Sequence, residues 1–70
     1  MNEKEIKEYA GNVLRRLIKE HYPSLEEFAF EFGVSSRNLN RWVKGDGLTI
    51  AVLCQLSNHF AVHYKTFLPD

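Results

Sequence analysis

The fold is decided by residues 24–45, which read SLEEFAFEFGVSSRNLNRWVKG. Ser24 is followed three residues later by Glu27, which is the capping-box pattern that starts a helix. Gly33 stands where a left-handed residue ends that helix, and Ser35 is a second N-cap that starts the next one. The stretch therefore predicts two short helices joined by a tight turn, the second of them stopping at the glycine-rich turn that follows.

Helical spacing continues on both sides of this stretch. Apolar residues recur at intervals of three and four from Glu3 to His21, and Pro23 ends this first helix by excluding the residue before it from helical geometry. Thr49 is an N-cap for a fourth helix that reaches Phe60, and we expect this helix to be the most buried of all. A fifth short helix precedes Pro69. No segment alternates as a strand does. The sequence predicts a compact all-α fold of five helices in one domain spanning residues 1–70.

The composition limits the class of protein. Hydrophobic residues make up 44% of the 70 residues and charged residues 26%, as in folded globular domains. Cys54 has no second cysteine to pair with, and its apolar neighbours predict a small core residue. No metal-ligand spacing, phosphate loop, nucleophile motif, leader or long apolar run is present. We therefore expect a cytoplasmic protein that is not an enzyme and has no metal, cofactor, small-molecule substrate or membrane partner.

The distribution of charge says more than its total. Nine basic and nine acidic residues cancel, which by itself argues against nucleic acid as a partner. Residues 32–45, however, contain Arg37, Arg41 and Lys44 and no acidic residue. The positive charge is thus concentrated in the second of the two helices predicted within residues 24–45, which is the third helix of the chain.

A helical wheel divides residues 35–44 into two faces. The apolar side, expected to face the core, consists of Leu39, Trp42 and Val43. The polar side consists of Ser36, Arg37, Asn40, Arg41 and Lys44. Arginine suits a guanine edge, asparagine an adenine edge, and serine and lysine suit phosphates. An ordinary solvated face usually mixes charges of both signs, so this one favours the major groove of DNA.

Residues 24–45 resemble the helix-turn-helix of the phage Cro and repressor type, the XRE-like family with the lambda-repressor fold. The agreeing positions are Ala29, the turn 33–35, Leu39, Arg41-Trp42 and Lys44-Gly45. Residues 48–62 are similar to that family's fourth helix, and Tyr64, Phe67 and Leu68 to its closing element. The resemblance covers roughly residues 6–68.

The resemblance implies a DNA-binding function and a role for each site residue. The third helix would lie in the major groove of double-stranded DNA, and the start of the second would touch the backbone. The expected base contacts are Ser36, Arg37, Asn40 and Arg41, and the expected backbone contacts are Ser24, Ser35 and Lys44. The implied function is a sequence-specific transcriptional regulator, a repressor that binds operator DNA as a homodimer, in a bacterial or phage setting.

Three residues depart from the family pattern. Leu25 stands where a polar residue usually contacts the DNA backbone, so one phosphate anchor is missing. Ala61 replaces a glycine at a left-handed position, which costs alanine on the order of 1 kcal/mol. Phe30 lies off the inward arc of the second helix, and we expect it to pack against the first helix or a neighbouring side chain rather than to bind a partner.

A second function remains open at this point. The neutral total charge, Leu25 and Phe30 favour a helix-turn-helix fold used as a protein adaptor, inhibitor or antitoxin-like partner, with weak or no DNA binding. The candidate surface for a protein partner or a second copy consists of Phe30, Tyr64, Phe67 and Leu68. The last three are equally consistent with closing the core.

Overall fold

The structure, a computed structural model, describes residues Met1–Asp70 and contains four α-helices, one short 3₁₀ helix and no strand. The elements in chain order are α1 (Glu3–His21), α2 (Leu25–Phe32), α3 (Ser36–Val43), α4 (Ile50–Phe60) and the 3₁₀ helix (Tyr64–Phe67). The predicted all-α class is confirmed. The predicted count of five α-helices is wrong, because the last element is a single 3₁₀ turn.

The closing element stays short for a local reason. Its hydrogen bonds span three residues, from the Thr66 amide to the His63 carbonyl at 2.9 Å and from the Leu68 amide to the Lys65 carbonyl at 3.0 Å. Such tight turns rarely extend beyond one turn. Leu68 then adopts an extended backbone, as expected for the residue before Pro69.

The predicted helix boundaries are set by side-chain caps. Ser24, Ser35 and Thr49 each accept a hydrogen bond from the amide three residues ahead, at 3.1, 3.1 and 3.2 Å. Of the predicted capping box only the serine half forms. Gly33 ends α2 in the left-handed conformation with φ 86°. The three N-caps and this C-terminal glycine are confirmed.

The core is built mainly on α1. It consists of Ala10, Val13, Leu14, Leu17, Ile18, Phe28, Ala29, Leu39, Val43, Leu56 and Phe67. α4 contributes only Leu56 and the polar Ser57 to the buried residues, so the expectation that it is the most buried helix is wrong. Cys54, predicted as a core residue, is exposed because it lies on the outer side of α4.

α1 and the end of α3 cross in direct backbone contact. A Cβ atom on Gly11 would lie 2.6 Å from the Val43 carbonyl oxygen, and one on Gly45 would lie 2.4 Å from the Lys7 carbonyl oxygen. Gly45 also has φ 92°, a conformation that favours glycine. The two glycines thus let α1 and α3 approach more closely than any side chain would allow.

An aromatic cluster joins α2 to α4. Phe28 is fully buried and stacks on Phe32 and Phe60, with ring centroids 5.2 and 5.4 Å apart. The Tyr22 hydroxyl hydrogen-bonds His59 Nε2 at 2.5 Å. Burial, followed by the nearby Glu31 carboxylate, raises the pKa of Tyr22. The cluster packs α2 against α4 through contacts between aromatic rings.

Candidate nucleic-acid interface

α3 presents the two faces that its sequence predicts. Leu39 and Val43 are buried at 2% and 4% exposure, and Trp42 is half-buried with its ring edge-to-face on Phe32 at 6.0 Å. The five polar residues of the opposite face, Ser36, Arg37, Asn40, Arg41 and Lys44, are all exposed. The structure therefore brings the predicted base-contacting residues together with Lys44 on one outward surface, which we call the α3 face.

The cations on this face are not equivalent. Arg37 and Lys44 form no ion pair, whereas Arg41 Nε donates to Asp46 Oδ2 at 2.9 Å. The hydrogen bond from Arg41, together with its charge, lowers the pKa of Asp46, and the same contact raises the pKa of Arg41. The free positive charge is therefore concentrated at Arg37 and Lys44.

The Arg41–Asp46 pair follows from how α3 ends. The Gly45 amide bonds to the Trp42 carbonyl and the Asp46 amide to the Arg41 carbonyl, both at 2.9 Å, which is the Schellman pattern. This turn folds Asp46 back alongside Arg41. Only Nε is used in the pair, so both terminal nitrogens of the guanidinium keep their hydrogens for other acceptors.

The pair was missed in the sequence because the acid-free segment ends at Gly45, one residue earlier. The signal that would have found it is an acid placed just after the glycine of a helix-ending turn, five residues from an arginine. Such a turn brings the two side chains to the same end of the helix.

An acidic side chain also borders the face from α2. A shallow groove of about 140 Å³ lies between the starts of α2 and α3, lined by Leu25, Glu26, Ser36, Leu39 and Asn40. Glu26 therefore stands beside two predicted base-contacting residues. The wheel of α3 alone did not reveal this carboxylate, because it comes from the neighbouring helix.

The two serines predicted to contact the DNA backbone are both helix caps in the structure. Ser24 and Ser35 are exposed, and each hydroxyl oxygen accepts a capping hydrogen bond from the helix that it starts. A hydroxyl that accepts one bond still has its own hydrogen to donate. Near Ser24, however, the carboxylates of Glu26 and Glu27 occupy the first turn of α2 and oppose an anion there.

The candidate partner residues separate into exposed and buried ones. Phe30 is 91% exposed, so the expectation that it packs against a neighbour is wrong, because its position on α2 points away from α1 and α3. Tyr64 and Leu68 are 47% and 38% exposed. Phe67 is fully buried among the core residues, which corrects its assignment to a partner surface.

Ala61 occupies the left-handed position predicted for it. Its φ of 57° is the only positive value at a residue other than glycine. Its amide bonds to the Asn58 carbonyl, and the Val62 amide bonds to the Ser57 carbonyl, which is a second Schellman turn. The backbone thus keeps the glycine geometry although the residue is alanine.

No helix of the structure is long and apolar enough to span a bilayer. No three His, Cys, Asp or Glu side chains come together in a way that could hold a metal ion. Comparison of the chain with protein-family models, curated proteins and solved structures gave no match.

Proposed function

We propose that the chain is a sequence-specific DNA-binding regulator of transcription, which represses by occupying operator DNA as a homodimer. The observation that supports this most is the α3 face. It combines two arginines, a lysine, an amide and a hydroxyl on one exposed surface, while Leu39 and Val43 of the opposite side are held in the core. These are the residue types that read base edges and grip phosphates.

The dimensions of α3 suit the major groove. An α-helix with its side chains is about 10–12 Å across, close to the groove width of about 12 Å, and the eight residues of α3 extend for about 12 Å at about 1.5 Å per residue. In the proposed complex Ser36, Arg37, Asn40 and Arg41 face base edges. Ser24, Ser35 and Lys44 face phosphates on the flanking backbone.

The electrostatics favour selective over general DNA binding. Arg41 is paired with Asp46, Glu26 lines the shallow groove between α2 and α3, and the chain has no net charge. The α3 face has three cations, so it can neutralise at most about three phosphates and its salt slope is no steeper than about −3, since each contact contributes about −0.9. Binding would therefore depend on base contacts, and unrelated duplexes would be released at moderate salt.

The deciding experiment is selection from a random-sequence duplex pool at physiological salt, followed by sequencing of the retained DNA. We expect an inverted repeat whose half-sites lie about one helical turn, or about 34 Å, apart. The same selection with Arg37→Ala is the matched control, and it should lose preference at one position of each half-site. A pool without enrichment would overturn the proposed function.

A second candidate function has its own observation. Phe30 is 91% exposed on an α2 surface that also carries Glu26, Glu27 and Glu31. An isolated exposed aromatic among carboxylates is a suitable contact for a protein partner with a basic rim, as an adaptor, inhibitor or antitoxin-like protein would have. Phe30→Glu separates the two functions: DNA selection should be unchanged by it, whereas a partner complex seated on Phe30 should be lost.

A further inference from the structure

α4 differs from the other helices in its charge. Residues 47–64 contain no Asp, Glu, Lys or Arg, a run of 18 residues in a chain where charged residues make up 26%. α1 has acids and bases along its length, α2 has three acids and α3 has two arginines. α4 is thus the only α-helix without a formal charge.

This absence of charge is not explained by burial. At about 100° per residue one side of α4 spans roughly 140° of the wheel. Its members, all exposed, are Ile50, Ala51, Cys54, Gln55 and Asn58. Ile50 is 81% exposed, second only to Phe30 among the large hydrophobic residues. A solvent-facing helix side normally carries charged residues, so this α4 face has the composition of a contact surface.

We propose that the α4 face is the surface through which two copies of this chain associate. In a two-fold symmetric dimer the same patch lies on both partners, so each charge in it is brought near its own copy. Like charges held together across an interface oppose association. The outward sides of α1, α2 and α3 all carry charges, whereas the α4 face meets its copy without repulsion. The proposal rests on the proposed function, in which two copies occupy one operator.

The pairing that fits this face is antiparallel, with Cys54 at the two-fold axis. Residue i of one helix then faces residue 108 − i of the other, which places Ile50 over Asn58 of the second copy. Cys54 lies one residue from the middle of α4. The two thiols therefore approach each other, and the two isoleucines lie toward the ends of the contact.

The contact is small, and the dimer is accordingly weak in the absence of DNA. A helix of 11 residues is about 16 Å long. One side of it covers far less than the roughly 800 Å² per partner of a standard interface. Two copies held on adjacent half-sites gain effective concentration, which makes a weak contact sufficient on DNA.

Sedimentation equilibrium across micromolar to millimolar concentration tests the surface. We expect concentration-dependent dimers for the wild type and a dimer Kd raised by at least about tenfold in Ile50→Glu, since each copy contributes one isoleucine and gains one buried charge. Asn12→Glu is the matched control, because it places the same charge at an exposed residue of α1, outside every surface considered for a second copy. A wild type that stays monomeric at every concentration, or equal effects of the two variants, would overturn the proposal.

Cys54 tests the register. A short-spacer bismaleimide should link two copies through the native thiol, and the yield should fall in Ile50→Glu. The control is Cys54→Ser combined with Asn12→Cys, which moves the only thiol to an exposed position on α1. Equal yields from the two thiol positions would overturn the antiparallel arrangement.

The two proposals fail in different ways. A chain that selects DNA from the pool but never dimerises contradicts the α4 interface and leaves the DNA-binding function standing. A chain that dimerises through Ile50 but selects no DNA contradicts the proposed function and leaves the interface standing.

Discussion

The crossing of α1 and α3 leads to a quantitative prediction for Gly11→Ala. The added Cβ would lie 2.6 Å from the Val43 oxygen, 2.7 Å from the Gly45 nitrogen and 2.9 Å from the Trp42 oxygen. All three are backbone atoms, so no side-chain rotation relieves the contact. The two helices must move apart, which also loosens the packing of Val43 in the core.

Two opposing effects set the size of the change. Alanine gains about 1 kcal/mol over glycine inside a helix. Overpacking a tight contact costs about 1–3 kcal/mol, and more where backbone must shift. Three backbone contacts at one site place the cost at or above the upper end of that range. We expect a net loss of about 2 kcal/mol, which for a chain of this size lowers the midpoint of thermal unfolding by about 8–16 °C.

The measurement is urea and thermal unfolding followed by the helical circular dichroism signal. Asn12→Ala is the matched control, since Asn12 is the next residue of α1 and is exposed. It should be neutral or slightly stabilising, because alanine is the better helix former. If Gly11→Ala is as stable as the wild type or more so, the close backbone crossing of α1 and α3 is refuted.

Three further predictions concern a turn, the α3 face and an ion pair. Ala61→Gly should stabilise the fold by about 1 kcal/mol. The left-handed backbone costs alanine about 1–2 kcal/mol, whereas glycine adopts it freely but loses more conformational entropy on folding, which offsets part of the gain. An unchanged or lower thermal midpoint would contradict this prediction. Arg37→Ala should cost about 1–3 kcal/mol of DNA binding at one base position, whereas Lys44→Ala should weaken every sequence alike and reduce the salt slope by about one. Equal losses on all sequences would exclude Arg37 as a base reader. Because the folded-state pKa of Asp46 lies below its ordinary value of 3.8, its stabilising contribution is present above that pH and is lost as the pH falls through the lower folded value. Asp46→Asn should therefore flatten the acid side of the stability profile, and a profile identical to that of the wild type would show that the pair with Arg41 adds nothing.

The helix boundaries could be predicted because they depend on neighbours in sequence. Ser24, Ser35 and Thr49 each bond an amide three residues away, and Gly33 needs only its own left-handed backbone. The inward side of α3 was also predictable, since a strong amphipathic pattern on a short helix leaves one way to bury its apolar residues.

The errors arose where the outcome depends on contacts between distant segments. Periodic apolar residues predicted a deeply buried α4, but the pattern does not show how much of the arc meets another element, and Ile50 and Cys54 are left exposed. Phe67 is buried because its 3₁₀ helix packs against α1, a contact that the neighbouring residues in sequence do not indicate.

The α3 face itself was assembled correctly from the sequence, but its electrostatic surroundings were not. Its acid-free helix suggested free cations throughout, whereas Asp46 reaches Arg41 through the turn and Glu26 approaches from α2. Both carboxylates lie outside α3, so a helical wheel of α3 does not include them. Charges that meet through tertiary structure escape an analysis of one helix at a time.

The glycine crossing has a consequence for how this protein can change over time. α3 is held by backbone contacts at Gly11 and Gly45 and by the inward Leu39 and Val43, none of which belongs to the α3 face. The ion pair between Arg41 and Asp46 is exposed, so solvent screening leaves it little influence on stability. The outward residues are therefore almost independent of folding stability, so new recognition surfaces can arise by substitution there while the scaffold stays intact. A combinatorial library at those positions would sample binding preferences within an unchanged fold.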